Sequence, residues 1–313
     1  MPVMDVAIMI EGQNGLNWPR WQRIAQAVEE LGFNGLFRSD HFTNAEPPDL
    51  DSLELWTSLT WLASHTERII FGPLVSPVSF RHPTQTARMA AAVDDLSNGR
   101  LILGLGAGWN AREHQLFGHD LLETTERFLR FEEGLEVITR LLHSDKPVEF
   151  DGRYYQLRGA VLLPRPKRPG GPPILIGGNG VKLTLPLVAR FGDEWNAVSL
   201  TPEAFKEKNA SLDRLLASQG RASETVRRSM MTGCVFGKSS KEVEEKVARR
   251  TQGKRGVAEL LERGLIVGTA SEVIEQLLRL AKAGVQQIML QWLDLDDIAG
   301  LEGLARDVLP QIK

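Results

Sequence analysis

Cysteine is nearly absent: Cys234 is the only one in 313 residues, which excludes an internal disulfide. It lies in the run Met231–Phe236, where a buried structural thiol is expected rather than a nucleophile. Long apolar runs are missing too, and none approaches the roughly 20 residues that span a bilayer. The opening MPVMDVAIMI has neither a basic segment nor a small-residue cleavage site, so no signal peptide is expected. There is no excess of one charge. A formal net charge of −3 leaves no electrostatic case for nucleic acid. None of the six histidines has a second ligand at metal-binding spacing, which argues against zinc. No G-x-S-x-G elbow offers a serine nucleophile. What remains is an expected cytoplasmic, soluble protein of ordinary composition, 42% hydrophobic and 25% charged. Its expected partner is a small molecule, with no membrane, metal or nucleic acid.

What the chain does have is a strand that runs into glycines. In Arg100–His114, RLILGLGAGWNAREH, Arg100 to Leu103 fit a buried parallel strand, and Gly104, Gly106 and Gly108 free the backbone after it. Such a turn can converge N–H groups on an anion, a phosphate above all. The dinucleotide fingerprint does not fit, because its third glycine falls where Trp109 stands. Around this loop, strand-like and helical patterns alternate. Strands are expected at Val6–Ile10, Gly35–Arg38, Ile69–Val75, Ile174–Ile176, Glu194–Val198, Arg228–Phe236 and Gln287–Gln291, besides the one before the glycines. The rhythm breaks at 148–173, which reads as a hairpin around Asp151-Gly152, and at 237–256, a charged insertion of helical character. Eight strands at this length predict one (β/α)8 TIM-barrel domain over residues 1–313, with an open doubly wound sheet as the other arrangement.

A barrel carries its working groups on the C-terminal rim. After the first strand come Glu11, Gly12 and Gln13, and after the second Ser39, Asp40 and His41. The fifth ends in Gly177, Gly178, Asn179 and Gly180, a second turn able to present backbone donors. The sixth carries Glu194, Trp195 and Asn196, and Trp292 follows the eighth. Plainer roles exist for each. Glycine suits any strand-to-helix corner, Asp40 suits a helix cap or a salt bridge, and either tryptophan can simply fill the barrel mouth. His41, with an ordinary pKa of about 6.5, suits proton exchange near neutrality.

Ser39-Asp40-His41, GPLVSPVSFRHP at 72–83, LSNGRLILGLGAGWNAREH at 96–114, FDGRYYQL at 150–157, PPILIGGNG at 172–180, Asp193–Asn196 and GTASE at 268–272 are specific in their order and spacing. In these segments the chain resembles the bacterial luciferase-like family of flavin and deazaflavin oxidoreductases, above all the branch that uses coenzyme F420. The resemblance implies hydride exchange between F420 and a small organic substrate, and a homodimer. It implies a non-prolyl cis peptide at Pro73-Leu74-Val75, with Leu74 supporting the coenzyme ring and Val75 and Ser76 beside it. By the same resemblance Gly106, Ala107, Gly108, Trp109 and Asn110 hold the phosphate or side chain, and Gly177, Gly178 and Asn179 form a second phosphate-side turn. Asp40 and His41 then lie beside the ring. His41 is the proton donor or acceptor, Asp40 orients it, and Glu11 is a second acid or base. On this reading the 237–256 insertion is expected to cover the substrate as a lid. Two positions depart from sugar-phosphate-oxidising relatives: Asn44 replaces a tryptophan, and their acidic residue aligns near Gln13. The alternatives are an FMN-dependent monooxygenase on the same scaffold and a non-catalytic coenzyme-binding protein.

Overall fold

Parallel pairing sets the architecture of residues 4–312, the part that the computed structural model describes. The strands are β1 (Asp5–Ile10), β2 (Gly35–Arg38), β3 (Ile70–Pro73), β4 (Ser76–Pro77), β5 (Leu103–Gly106), β6 (Val148–Asp151), β7 (Gln156–Ala160), β8 (Ile174–Gly177), β9 (Glu194–Val198), β10 (Arg227–Phe236), β11 (Ile266–Gly268) and β12 (Gln287–Gln291). The main sheet runs β3-β2-β1-β12-β10-β9-β8-β5-β4. β3 pairs with β2, β4 pairs with β5, and a Phe71–Leu101 bridge joins β3 to the residues that enter β5. β3 and β4 are therefore halves of one barrel position, and the nine strands of the path fill the eight places of a (β/α)8 barrel.

The strands are buried on both faces, as parallel strands covered by helices must be. Ala7, Met9, Phe37, Ile102, Leu175 and Met289 fill the barrel interior beneath Leu74. Their neighbours Val6, Ile8, Ile10 and Leu36 point the other way and join the larger core under the helices. The predicted capping box is present where the helix Ala270–Lys282 begins: Thr269 and Glu272 satisfy each other's backbone N–H groups. The first insertion is the expected hairpin, with Asp151 opposite Gln156 in the β6–β7 pair and the Gly152 N–H bonded to the Tyr155 carbonyl (3.0 Å). The second contains the helix Ser240–Thr251. Among the described residues no helix is long and apolar enough to cross a membrane.

Four expectations are corrected. The third strand does not run unbroken to Val75: it stops at Pro73, the Leu74–Val75 peptide is cis, and pairing resumes at Ser76. The fourth strand starts at Leu103, so Gly104 and Gly106 are strand residues and not part of a turn. Close packing explains both glycines. A Cβ on Gly104 would lie 2.0 Å from the Pro73 carbonyl oxygen, and one on Gly106 would lie 2.6 Å from a Val75 methyl. Glu194 opens β9 at the base of the barrel, far from the rim, and Asn196 is buried against Ser229. The short β11 was not anticipated. It pairs with Cys234–Phe236, beyond the part of β10 that pairs with β9 and β12, and three residues carry no legible strand period.

Because the Gly104 clash is with backbone, no side chain can swing away to relieve it. Gly104→Ala is expected to lower stability by about 3 kcal/mol, the upper part of the usual overpacking range. Urea unfolding would show this as a lower midpoint at an unchanged slope. A loss under about 1 kcal/mol would show that the split strand moves aside freely.

Candidate active site

The rim has an apolar floor. Leu74 and the half-buried Val75 cap the interior cluster at the C-terminal ends of the strands. The two methyls of Val75 occupy the space that side chains on Gly106 and Gly177 would need, at 2.6 and 3.1 Å from their Cβ positions. Val75 thus sits between β5 and β8 and keeps the floor clear. The buried Ser76 follows it and donates its hydroxyl to Asp40 Oδ2 (2.7 Å).

Asp40 does not orient His41. Its carboxylate is engaged by Ser76 and by the Arg81 guanidinium (2.5 and 3.3 Å), which also reaches Glu54 (3.0 Å). The partner of His41 is Glu113, which sequence reasoning missed. His41 Nδ1 lies 2.8 Å from Glu113 Oε1, while Glu113 Oε2 accepts the Phe42 N–H (3.1 Å). Asn110 positions this carboxylate. It caps the helix Ala111–Phe117 and accepts the N–H of Glu113 (3.4 Å), whose side chain is 1% exposed. Trp109, 63% exposed, meets His41 edge-on with ring centroids 5.6 Å apart. In sequence Glu113 looks like an ordinary helix-surface charge 72 positions from His41. Only the turn after β5 turns it inward.

Burial disfavours the charged form of His41, but the Glu113 hydrogen bond and charge outweigh it, helped by Glu11 and Asp40, so its pKa is raised. Glu11 itself accepts from Gln13 Nε2 (2.9 Å) and from Gln291 Nε2 (2.7 Å). The other amide ends are fixed as well: Ser39 donates to Gln13 Oε1 (2.7 Å) and Arg250 to Gln291 Oε1 (3.2 Å). Glu11 and Gln13 therefore belong to one network across the mouth.

The two glycine turns differ. Ala107 is buried, and Gly108 takes a positive φ (84°) beneath Ser79 and His114, which hydrogen-bond to each other (2.8 Å). In the second turn the Gly178 N–H donates to the Asn196 carbonyl (2.9 Å), and the Gly178 carbonyl accepts from the Trp195 indole (2.9 Å). The Asn179 amide bonds both the N–H and the carbonyl of Val198 (2.9 and 2.7 Å). Gly178 N–H and the Asn179 side chain thus hold the turn to β9, and the Gly178 N–H is not the free backbone donor expected there.

The geometry is that of a barrel whose rim pairs an apolar platform with a carboxylate-held histidine. The profile of the luciferase-like monooxygenases matches residues 4–255, and the chain belongs to that family. It is 33% identical over 205 residues to an F420-dependent glucose-6-phosphate dehydrogenase of Microbacterium testaceum, covering 64% of this chain and 59% of that enzyme. It spans about half the length of other such dehydrogenases that it matches. A 5,10-methylenetetrahydromethanopterin reductase of Archaeoglobus fulgidus is 26% identical over 327 positions, 91% of this chain and 93% of the reductase. An F420-dependent secondary alcohol dehydrogenase, solved with an F420–acetone adduct, superposes over the whole of both chains with a TM-score of 0.85 at 19% identity, a likeness of fold.

A histidine whose pKa rises on folding stabilises the protein below its unfolded pKa of about 6.5, and that contribution is lost as the pH climbs through the folded value. The stability gap between the wild type and His41→Gln is therefore expected to be wider at about pH 5.5 than at about pH 9. Urea unfolding of both at the two pH values tests this, and a constant gap contradicts it.

Proposed function

We propose that the protein is an F420-dependent oxidoreductase that exchanges hydride between the deazaflavin and a small organic substrate at the barrel rim. One observation carries this reading: the Asp40–Ser76 hydrogen bond ties the Leu74–Val75 floor to the segment that bears His41. The F420-dependent dehydrogenases among its relatives support it. The residues present fit such a coenzyme, because the absence of side chains at Gly106 and Gly177 leaves an apolar platform around Val75. Leu74 and Val75 would hold the ring. Gly106, Ala107, Gly108, Trp109 and Asn110 would border its phosphate side, with Gly177, Gly178 and Asn179 shaping the opposite edge.

Bound F420 supplies the hydride carrier, and the protein supplies position and proton control. Nε2 of His41 is the ring nitrogen left for a substrate proton, since Nδ1 faces Glu113. Arg81 and Ser76 fix Asp40 and with it the backbone entering His41. Glu11, held by two amides, would accept a further hydrogen bond from substrate. The helix Ser240–Thr251 reaches the rim through Arg250 and borders the substrate side.

Parallel titrations with F420 and FMN test the coenzyme. Saturable F420 binding, with turnover of reduced coenzyme against a panel of acceptors, is expected. Tight FMN binding without any response to F420 would overturn the reading. His41→Ala should lower kcat by about 10²-fold or more while leaving F420 affinity within roughly threefold. Unchanged turnover would remove His41 from the chemistry.

A further inference from the structure

We propose that Glu113 is a positioning residue that decides which nitrogen of His41 exchanges a proton: Nδ1 keeps its hydrogen against Glu113 in both charge states, and exchange is confined to Nε2. The inference deepens the oxidoreductase reading, on which only its kinetic part rests.

Donor and acceptor roles force the assignment. A backbone N–H can only donate, so Glu113 Oε2 must accept from Phe42. The carboxylate is buried, and its remaining oxygen, Oε1, faces Nδ1 at 2.8 Å. An ionised carboxylate has no hydrogen to give, so Nδ1 must carry one. This is the way a carboxylate fixes an imidazole tautomer. Asp40 cannot share the task, because its oxygens face Ser76 and Arg81. The other charges acting on His41 are Glu11 and Asp40, with the uncharged Trp109 edge beside the ring. In carbonyl reduction, the carbon would take hydride from the bound carrier, whose own ring proton passes to solvent, while the oxygen gains the Nε2 proton and leaves an alcohol and a neutral Nδ1–H imidazole. Oxidation returns the same atoms. Reduction should accordingly slow as the pH rises through the elevated His41 value.

Glu113→Gln makes a sharp test. The amide oxygen must take the Phe42 N–H, so the NH2 turns toward Nδ1 and can only donate. The neutral His41 tautomer should then switch from Nδ1–H to Nε2–H. Nitrogen-15 NMR of the His41 ring, recorded in the full chain without coenzyme, reads the tautomer and the titration midpoint. The wild type is expected to show Nδ1–H and a midpoint above about 6.5. Glu113→Gln is expected to show Nε2–H and a midpoint lower by about one unit or more. The pH profile of F420-dependent reduction should move by the same amount. An unchanged tautomer and midpoint would overturn the proposal, as would a moved midpoint with an unmoved rate profile. Should the variant fail to fold, the wild-type tautomer alone decides, and neutral Nε2–H there contradicts the proposal. Failure of the coenzyme reading would show separately, as absent F420 binding with the NMR change intact.

Discussion

The site hangs on the packing of one side chain, Val75, into space left by three glycines. Gly104, Gly106 and Gly177 each place their missing Cβ within 2.6 to 3.4 Å of a Val75 methyl. This lets the third barrel strand break after Pro73 without opening the barrel, since Ser76 and Pro77 pair onward with β5. The rest of the rim follows from that break. Ser76 reaches Asp40, Asp40 holds Arg81, and His41 comes next in the chain. A side chain on Gly106 would push Val75 away and disturb each contact in turn.

Charge buried at the rim is handled by pairing, as desolvation demands. Asp40 meets Arg81 and Glu113 meets His41. Arg38 is the exception. Its guanidinium is held by Ser58 and by the Ser39 and Leu53 carbonyls, all neutral, and burial lowers its pKa to about 10 despite the nearby Asp40 and Glu54. It lies beneath the rim against the Trp21 ring and contributes a fixed positive charge near Asp40. Burial pushes the Cys234 thiol up to about 12, which suits the structural part that its apolar run suggested.

The architecture was legible because a parallel barrel writes itself as a regular alternation. Gly35–Arg38, Glu194–Val198 and Gln287–Gln291 form where their patterns place them. The glycines do not form the single turn that the sequence suggests. Gly104 and Gly106 answer to a neighbouring strand, a contact that no local pattern records, and only Gly108 takes the turn conformation expected of the group. The Asp-His dipeptide marked a rim segment, yet adjacency in sequence suggested a coupling that the side chains do not make. Glu113 stayed hidden because burial, and not residue type, separates it from the many solvated glutamates of this chain.

What unites these contacts is the claim that Leu74, Val75 and His41 address one bound ring. A crystal structure of the protein with oxidised F420 tests it most directly. The ring is expected to lie on Leu74 and Val75, with Nε2 of His41 facing the carbon that takes hydride. F420 bound away from the barrel mouth, or a ring separated from His41, would contradict it.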